Sequence, residues 1–300
     1  MPLSETGIAF APQPTADGSC TFYSSQFGEH FHSQRGAQQE AVQKFVLPCR
    51  LPQLAQNCDQ IHLLDVCYGL GYNTAAALTA IWQVNPACQV TLLALESDPQ
   101  VPQQAIAYHL LQAYPAPVQA LLSRLAEEAR VETATLTARL AIGDARQTVH
   151  QVLPPDWQAD AIFLDPFSPP KCPQLWTVEF LQALGDRLKP QGYLATYCSA
   201  AAVRSALQII GLQFATLPDD QPPHPRRRPL GTLASHQPLS LPPLSPWEQE
   251  HLQTKAAIPY RDPKGNSSPA EIHQRRQAEQ AQSHAEPTSR WKKRWLTDEN

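Results

Sequence analysis

Four acids and one glycine turn carry the chemistry of this chain. Leu63-Leu64-Asp65-Val66 is an apolar run closing on an acid, and Cys67-Tyr68-Gly69-Leu70-Gly71-Tyr72-Asn73 follows it directly. A Gly-x-Gly turn lets the backbone fold tightly and approach a ligand, and the helix beyond it offers unpaired N–H groups. Val90 to Glu96 is a second apolar run, and Glu96 stands where open nucleotide-binding sheets place an acid to accept from two ribose hydroxyls. A third, Thr137 to Ile142, leads into Gly143-Asp144-Ala145, and a fourth, Ala161 to Leu164, ends at Asp165-Pro166-Phe167. Parallel strands that each end in an acid point those side chains at one sheet edge, the edge where α/β sheets bind ligands.

Absent residues narrow the ligand. A dinucleotide calls for Gly-x-Gly-x-x-Gly, but the third glycine position is Thr74, and no Gly-x-x-x-x-Gly-Lys-Ser/Thr loop for a triphosphate occurs. An acid-lined turn without a basic neighbour repels phosphate and suits a cation. S-adenosylmethionine meets that description, with a sulfonium, an ammonium, a ribose for Glu96 and an adenine whose amino group Asp144 could meet. Asp65, Gly69, Gly71 and Asn73 around the turn, and Ala145 beside Asp144, complete the expected cofactor site. The ring of Tyr68 either faces the sulfonium or is plain wall.

Asp165-Pro166-Phe167-Ser168-Pro169-Pro170-Lys171 suggests what is done with such a cofactor. Enzymes that methylate amino nitrogens often carry an acid or amide, a proline and an aromatic here. The attacking nitrogen must offer its lone pair along the S–CH₃ axis, and a carboxylate accepting its N–H fixes that direction. Asp165 is therefore the expected catalytic residue, in a loop stiffened by three prolines. His30 and His32, in an N-terminal β segment, read as packing or surface residues rather than general bases. No metal spacing occurs, and no bound metal is expected.

The elements that must hold these groups alternate. Residues 1–60 read as a small β/α addition, with Cys20 to Ser24 a strand and Gly36 to Leu47 a helix ended by Pro48. Residues 61–235 read as a doubly wound α/β sheet with helices near Asn73–Gln83, Pro99–Tyr114, Val118–Arg130, Leu175–Leu188 and Ala200–Ile210. A fifth strand, Gly192 to Cys198, follows a turn at Lys189–Gly192, and Gln213–Thr216 with Leu230–Ala234 predicts an antiparallel edge. Residues 236–300 form a proline-rich connector and a polar tail, with a helix over Ala270–Ser283 that has few apolar anchors and no core of its own.

Composition bounds the class. Three hundred residues with 42% apolar content suffice for one sizeable core and an appendage. No apolar run reaches membrane-spanning length, and Met1-Pro2-Leu3-Ser4-Glu5 lacks a signal-peptide pattern, so a cytoplasmic protein without a membrane partner is expected. Seven scattered cysteines without Cys-x-x-Cys read as free thiols. The net charge of −4 conceals an asymmetry. Residues 1–199 carry 10 Lys and Arg against 17 Asp and Glu, whereas residues 200–300 carry 13 against 10. The basic residues cluster as Arg226-Arg227-Arg228 and Arg290-Trp291-Lys292-Lys293-Arg294-Trp295, each either solvated surface or an RNA contact in which indoles stack on bases.

Asp65 to Asn73, Asp165-Pro166-Phe167-Ser168-Pro169, Leu175-Trp176-Thr177 and Thr196-Tyr197-Cys198-Ser199-Ala200-Ala201-Ala202-Val203-Arg204 together resemble the MnmC-like methyltransferases. These form the methylating half of the bifunctional enzyme that completes 5-methylaminomethyl-2-thiouridine at the tRNA wobble position. The resemblance spans Asp17 to about Ser235 and includes Phe31-His32-Ser33 with Gly36 and Glu40, where the family shows Tyr-Phe-Ser and a following Gly and Glu. It implies a Rossmann-like S-adenosylmethionine-dependent sheet in which Gly69, Gly71, Glu96 and Asp144 hold the cofactor and Asp165 lies nearest the reacting amine. It also implies that Phe31, His32 and Phe167 bind substrate, that Lys171 and Trp176 shape the entrance, and that Arg226-Arg227-Arg228 touches the anticodon stem-loop. Members often show Asp-Gly-Phe where this chain has Asp165-Pro166-Phe167. No dinucleotide fingerprint follows Gly211, so a methyltransferase without the flavin oxidase half is expected. Two alternatives stand beside this reading. One is an amino methyltransferase or spermidine-synthase-like transferase acting on a small amine, and the other is a non-catalytic RNA-binding protein on the same fold.

Overall fold

The apolar runs closing on Asp65, Glu96 and Asp165 lie as parallel neighbours in the computed structural model, which describes residues 8–152, 154, 156–217 and 229–297. Contacts divide the chain into two units, Met1–Phe167 and Ser168–Asn300.

The first unit opens with an antiparallel sheet of β1 (Ile8–Pro14), β2 (Cys20–Ser24) and β3 (Glu29–His30). Helix α1 (Ala37–Glu40) runs straight into a π-helical turn, Ala41–Val46, and α2 (Leu51–Asn57) follows. Gly36, which introduces α1, has φ +137, and a Cβ there would lie 2.0 Å from the carboxyl carbon of Asp17, so only glycine fits.

The remaining elements are β4 (Gln60–Val66), α3 (Tyr72–Val84), β5 (Gln89–Glu96), α4 (Gln100–Ala107), α5 (Ala116–Glu128), β6 (Arg130–Glu132), β7 (Leu136–Ile142), α6 (Ala145–Gln151) and β8 (Ala159–Leu164). The strand order is β8-β4-β5-β7-β6, parallel except for β6, an antiparallel edge that the sequence does not announce. Register pairs Val66 with Leu95 and with Leu164, and Glu96 with Ile142. Asp65, one residue before Val66, Glu96, and Asp165, one residue after Leu164, therefore share one edge. Leu63, Leu64, Ile61 and Ala94 are fully buried, and α3 is buried on nearly every side from Tyr72 to Leu78. A helix apolar all round is one packed on all sides, and α3 touches α2, α5 and the π-helical turn.

Two helical expectations are corrected. The helix expected over Pro99–Tyr114 stops at Ala107, because His109 adopts the left-handed conformation with φ 55. The His109 N–H reaches Ile106 and the Leu110 N–H reaches Ala105, the paired bonds of a Schellman stop. The helix expected to end at Leu47 winds with π rather than α geometry from Ala41.

In the second unit, a 3₁₀ turn (Pro173–Trp176) precedes α7 (Val178–Asp186), β9 (Leu188–Thr196), α8 (Ala201–Ile209), β10 (Gln213–Thr216) and β11 (Thr232–Ser235). The order β10-β11-β9 is antiparallel throughout, as expected. The turn expected at Lys189–Gly192 is instead part of β9. Pro190 precedes the stretch from Leu194 that pairs with β11, where its missing N–H costs no bond to that neighbour.

The unit is completed by α9 (Pro246–His251), α10 (Pro269–Gln282) and α11 (Thr288–Thr297). Helix α10 matches the expected span and buries one apolar side chain, Ile272. Polar bonds hold it in place. Arg276 donates to the Ile258 and Ala256 carbonyls and lies over the Tyr260 ring, and His273 meets the Pro170 carbonyl. The fully buried Arg204–Glu248 pair, at 2.8 Å, ties α8 to α9. Among the described residues no helix is long and apolar enough to cross a membrane.

Candidate active site

The glycine turn is strained where the sequence shows no glycine. Cys67 has φ 67, as well as Gly69 at φ 57 and Gly71 at φ 86. A left-handed non-glycine residue costs about 1–2 kcal/mol, and such strain persists where neighbours over-determine it. Here the N–H groups of Cys67 and Tyr68 both donate to the Leu95 carbonyl. A Cβ on Gly71 would come within 2.7 Å of the Tyr68 hydroxyl, so glycine is required at the helix entry.

Three carboxyls gather beyond this turn. Asp65 is completely buried; its Oδ2 accepts from the Thr74 hydroxyl at 2.6 Å, and its Oδ1 has no partner. Burial pushes its pKa up to about 8 against the Thr74 bond, and the neighbouring acids Asp165 and Glu96 push the same way. Glu96 spans the turn, with one oxygen accepting from Gly69 N–H at 2.9 Å and the other from the N–H groups of Ser97 and Asp98. Burial raises its pKa while those bonds oppose. Asp165 Oδ2 accepts from the Asn73 side-chain amide at 2.8 Å, which anchors the proposed reaction centre to the first turn of α3. Burial pushes its pKa up to about 7.

The remaining expected residues fall as follows. Tyr68 is buried, and burial with Asp65 nearby holds its hydroxyl above its ordinary range. Asp144 caps α6, but Arg146 donates to both of its oxygens, as close as 2.6 Å, so this carboxylate is not free for an adenine alone. Ala145, the first residue of α6, is buried. Phe31 lies against Gly69 and edge-on to Phe167, and Phe27 stacks on Phe167 at 4.3 Å. His32 sits edge-on to the Tyr72 ring with a pKa held down to about 4 by burial, hence neutral. In the second unit Lys171 is exposed and Trp176 is fully buried, edge-on to Tyr197. Arg226, Arg227 and Arg228 lie outside the described residues.

Thr74 and Phe27 carry no motif signal. Thr74 enters the sequence argument only as a missing glycine, and Phe27 meets Phe167 across 140 residues of chain. Of the two tryptophans in the basic C-terminal run, Trp291 is a packing residue and Trp295 is half-buried. Trp291 is buried, stacked on His251 at 4.2 Å and beside Trp247, and the Trp295 indole N–H donates to Glu250.

The orphaned Asp65 oxygen and the three convergent acids suit a cationic nucleoside-like ligand. Comparison with known proteins agrees. Residues 104–235 match a family described as S-adenosyl-L-methionine-dependent methyltransferase. The crystal structure of MnmC2 from Aquifex aeolicus superposes with a TM-score of 0.79 at 33% identity, covering 93% of this chain and 87% of that one. An uncharacterised protein of Methanocaldococcus jannaschii is 31% identical over 202 residues, 66% of this chain and 52% of that protein. The tRNA 5-methylaminomethyl-2-thiouridine biosynthesis bifunctional protein MnmC of Delftia acidovorans is 31% identical over 237 residues, 74% of this chain and 34% of that protein. The chain thus spans about half of the first relative and a third of the second.

Proposed function

The chain belongs to the MnmC-like family of S-adenosylmethionine-dependent methyltransferases, and from that premise we propose that it methylates the 5-aminomethyl group of wobble (2-thio)uridine in cytoplasmic tRNA, with Asp165 as its catalytic residue. The observation that carries this reading is the Asp165 carboxyl, held by Asn73 beside the glycine turn at the ligand-binding edge of the sheet. The relatives named for tRNA 5-methylaminomethyl-2-thiouridine biosynthesis supply the substrate class.

When bound, the cofactor supplies an electrophilic methyl group on a cationic sulfur. The acids do the rest. Asp65, whose Oδ1 lacks a partner, receives the ligand's ammonium, and Glu96 takes the ribose beside Gly69. Asp144 shares its outer face between Arg146 and the adenine amino group. Asp165 accepts an N–H from the incoming amine, aligns its lone pair with the S–CH₃ axis, and stabilises the positive charge that grows on nitrogen. Phe31 and Phe167 flank that amine, and Arg226-Arg227-Arg228 meets the anticodon stem-loop.

Proton balance favours a raised carboxyl. A primary amine of reference pKa about 10.4 costs roughly 4–5 kcal/mol to neutralise at pH 7, and an ordinary carboxylate is a weak base toward it. With its pKa pushed up to about 7, Asp165 is a closer match for the proton the methylated nitrogen must lose. The test is incubation with S-adenosylmethionine and tRNA carrying wobble 5-aminomethyl-2-thiouridine, followed by digestion and mass spectrometry. A methyl-sized gain on that nucleoside is expected; no gain while the cofactor still binds refutes the substrate assignment.

A further inference from the structure

The helix after the Phe31–Ser33 segment carries a charged pair that the proposed reaction leaves unused. Glu40 closes α1 where the chain enters the π-helical turn, a rare geometry that recurs at functional sites. Its carboxylate accepts from the Ser33 N–H at 3.2 Å and the Ser33 hydroxyl at 2.5 Å, and the Lys44 ammonium donates to it at 2.7 Å. Ser33 directly follows Phe31 and His32, whose N–H groups are tied to the Phe22 carbonyl and the Thr21 hydroxyl. The Phe31 ring in turn rests against Gly69 and Phe167. On the opposite flank Phe45, next to Lys44, packs edge-on to Phe163, two residues before Asp165.

We propose that Glu40 and Lys44 are positioning residues whose ion pair holds Phe31 over the glycine turn and balances the charge beside Asp165. The role rests on reading Asp165 as the group that orients the amine. Its charged surroundings come from several elements. Asn73 on α3 donates to it, and its charge, with that of Glu96 at the end of β5, pushes up the carboxyl of Asp65 on β4, which keeps its proton to about pH 8. From the first helix Glu40 pushes the Asp165 carboxyl up and Lys44 pulls it down. His32, a titratable neighbour of that pair, is neutral above about pH 4 and adds no charge at neutrality. The two helix charges oppose each other at Asp165, so removing either exposes the other. Glu40→Gln preserves shape and an acceptor for Ser33 but leaves Lys44 unopposed. Lys44→Met preserves the aliphatic stem but leaves Glu40 unopposed.

The experiment is a pH titration of the Asp165 carboxyl ¹³C resonance in the full chain labelled at aspartate, assigned by its loss in Asp165→Asn, without cofactor or tRNA. Relative to the native chain, the Asp165 midpoint is expected to fall by about one pH unit in Glu40→Gln and to rise by about as much in Lys44→Met, with Lys44→Arg restoring it. Packing damage alone cannot move one carboxyl in opposite directions. Shifts of the same sign, or none, overturn the charge-balancing role, and Lys44→Gln replaces Lys44→Met if the latter does not fold. Glu40→Ala, which frees Ser33, should weaken S-adenosylhomocysteine binding by about tenfold in calorimetry, and an unchanged affinity overturns the hold on Phe31. No readout requires methyl transfer, so failure of the tRNA assignment would leave the outcome legible.

Discussion

Replacing Asp65 by asparagine should stabilise the ligand-free protein in a manner that depends on pH. Asp65 is completely buried, has one hydrogen bond and one orphaned oxygen, and keeps its proton to about pH 8 instead of the ordinary 3.8. A carboxyl whose folded pKa lies above its unfolded value binds protons more tightly in the folded state, so its contribution to stability falls as pH rises between the two values. At about 1.4 kcal/mol per unit, the native carboxyl costs about 4 kcal/mol at pH 7, and only about 1–2 kcal/mol near pH 5. Asparagine has no such dependence, but its amide N–H groups at the orphaned position cost about 1–3 kcal/mol. The variant should therefore match the native chain near pH 5 and exceed it by roughly 1–3 kcal/mol near pH 7, a melting-temperature gain of about 3–10 °C. Thermal scans of both proteins without cofactor, from about pH 5 to pH 8, give the difference directly, because other titrating groups cancel. Calorimetry should show cofactor affinity collapsing in the same variant. A gap that stays constant with pH, or closes as pH rises, would mean that Asp65 is ionised in the folded chain, and the reasoning would fail.

Other substitutions probe the remaining parts. Asp165→Asn should lower turnover by about a hundredfold while S-adenosylhomocysteine affinity stays within about twofold. The native kcat/KM should climb with pH through about 7 as Asp165 ionises, and persistence of that limb in the variant would assign it to another group. Gly36→Ala drives a methyl group into the Asp17 carboxyl, which holds Ser19 and Gln39, and should cost about 3 kcal/mol or more in denaturant unfolding; no loss would contradict the positive φ. Trp291→Ala should cost about 3–5 kcal/mol and open residues beyond Trp247 to limited proteolysis. Lost tRNA affinity without lost stability would return that indole to RNA recognition.

Strand ends were legible because direction is a local property with a global consequence. Once Leu63–Val66, Val90–Glu96 and Ala161–Leu164 are parallel, Asp65, Glu96 and Asp165 must share an edge, whatever covers the sheet. What those acids bond to was not legible. Asp144 was read as an open acceptor, yet Arg146, two residues on, occupies it, because helix α6 starts there and brings the guanidinium back over its own cap. Basic residues and tryptophans mixed from Arg290 to Trp295 look like an RNA contact, but one helical turn sorts them onto different faces, and burial against His251 decides which face the indole at Trp291 serves. The same division runs through the two acids that matter most. Thr74 donates to Asp65 and Asn73 to Asp165, from adjacent positions on α3, so a single helix register sets the surroundings of both. Residue type and spacing thus pick out where charge can be placed. The charge state itself depends on burial and on donors arriving from other elements, and that is the quantity on which methyl transfer to an amine turns.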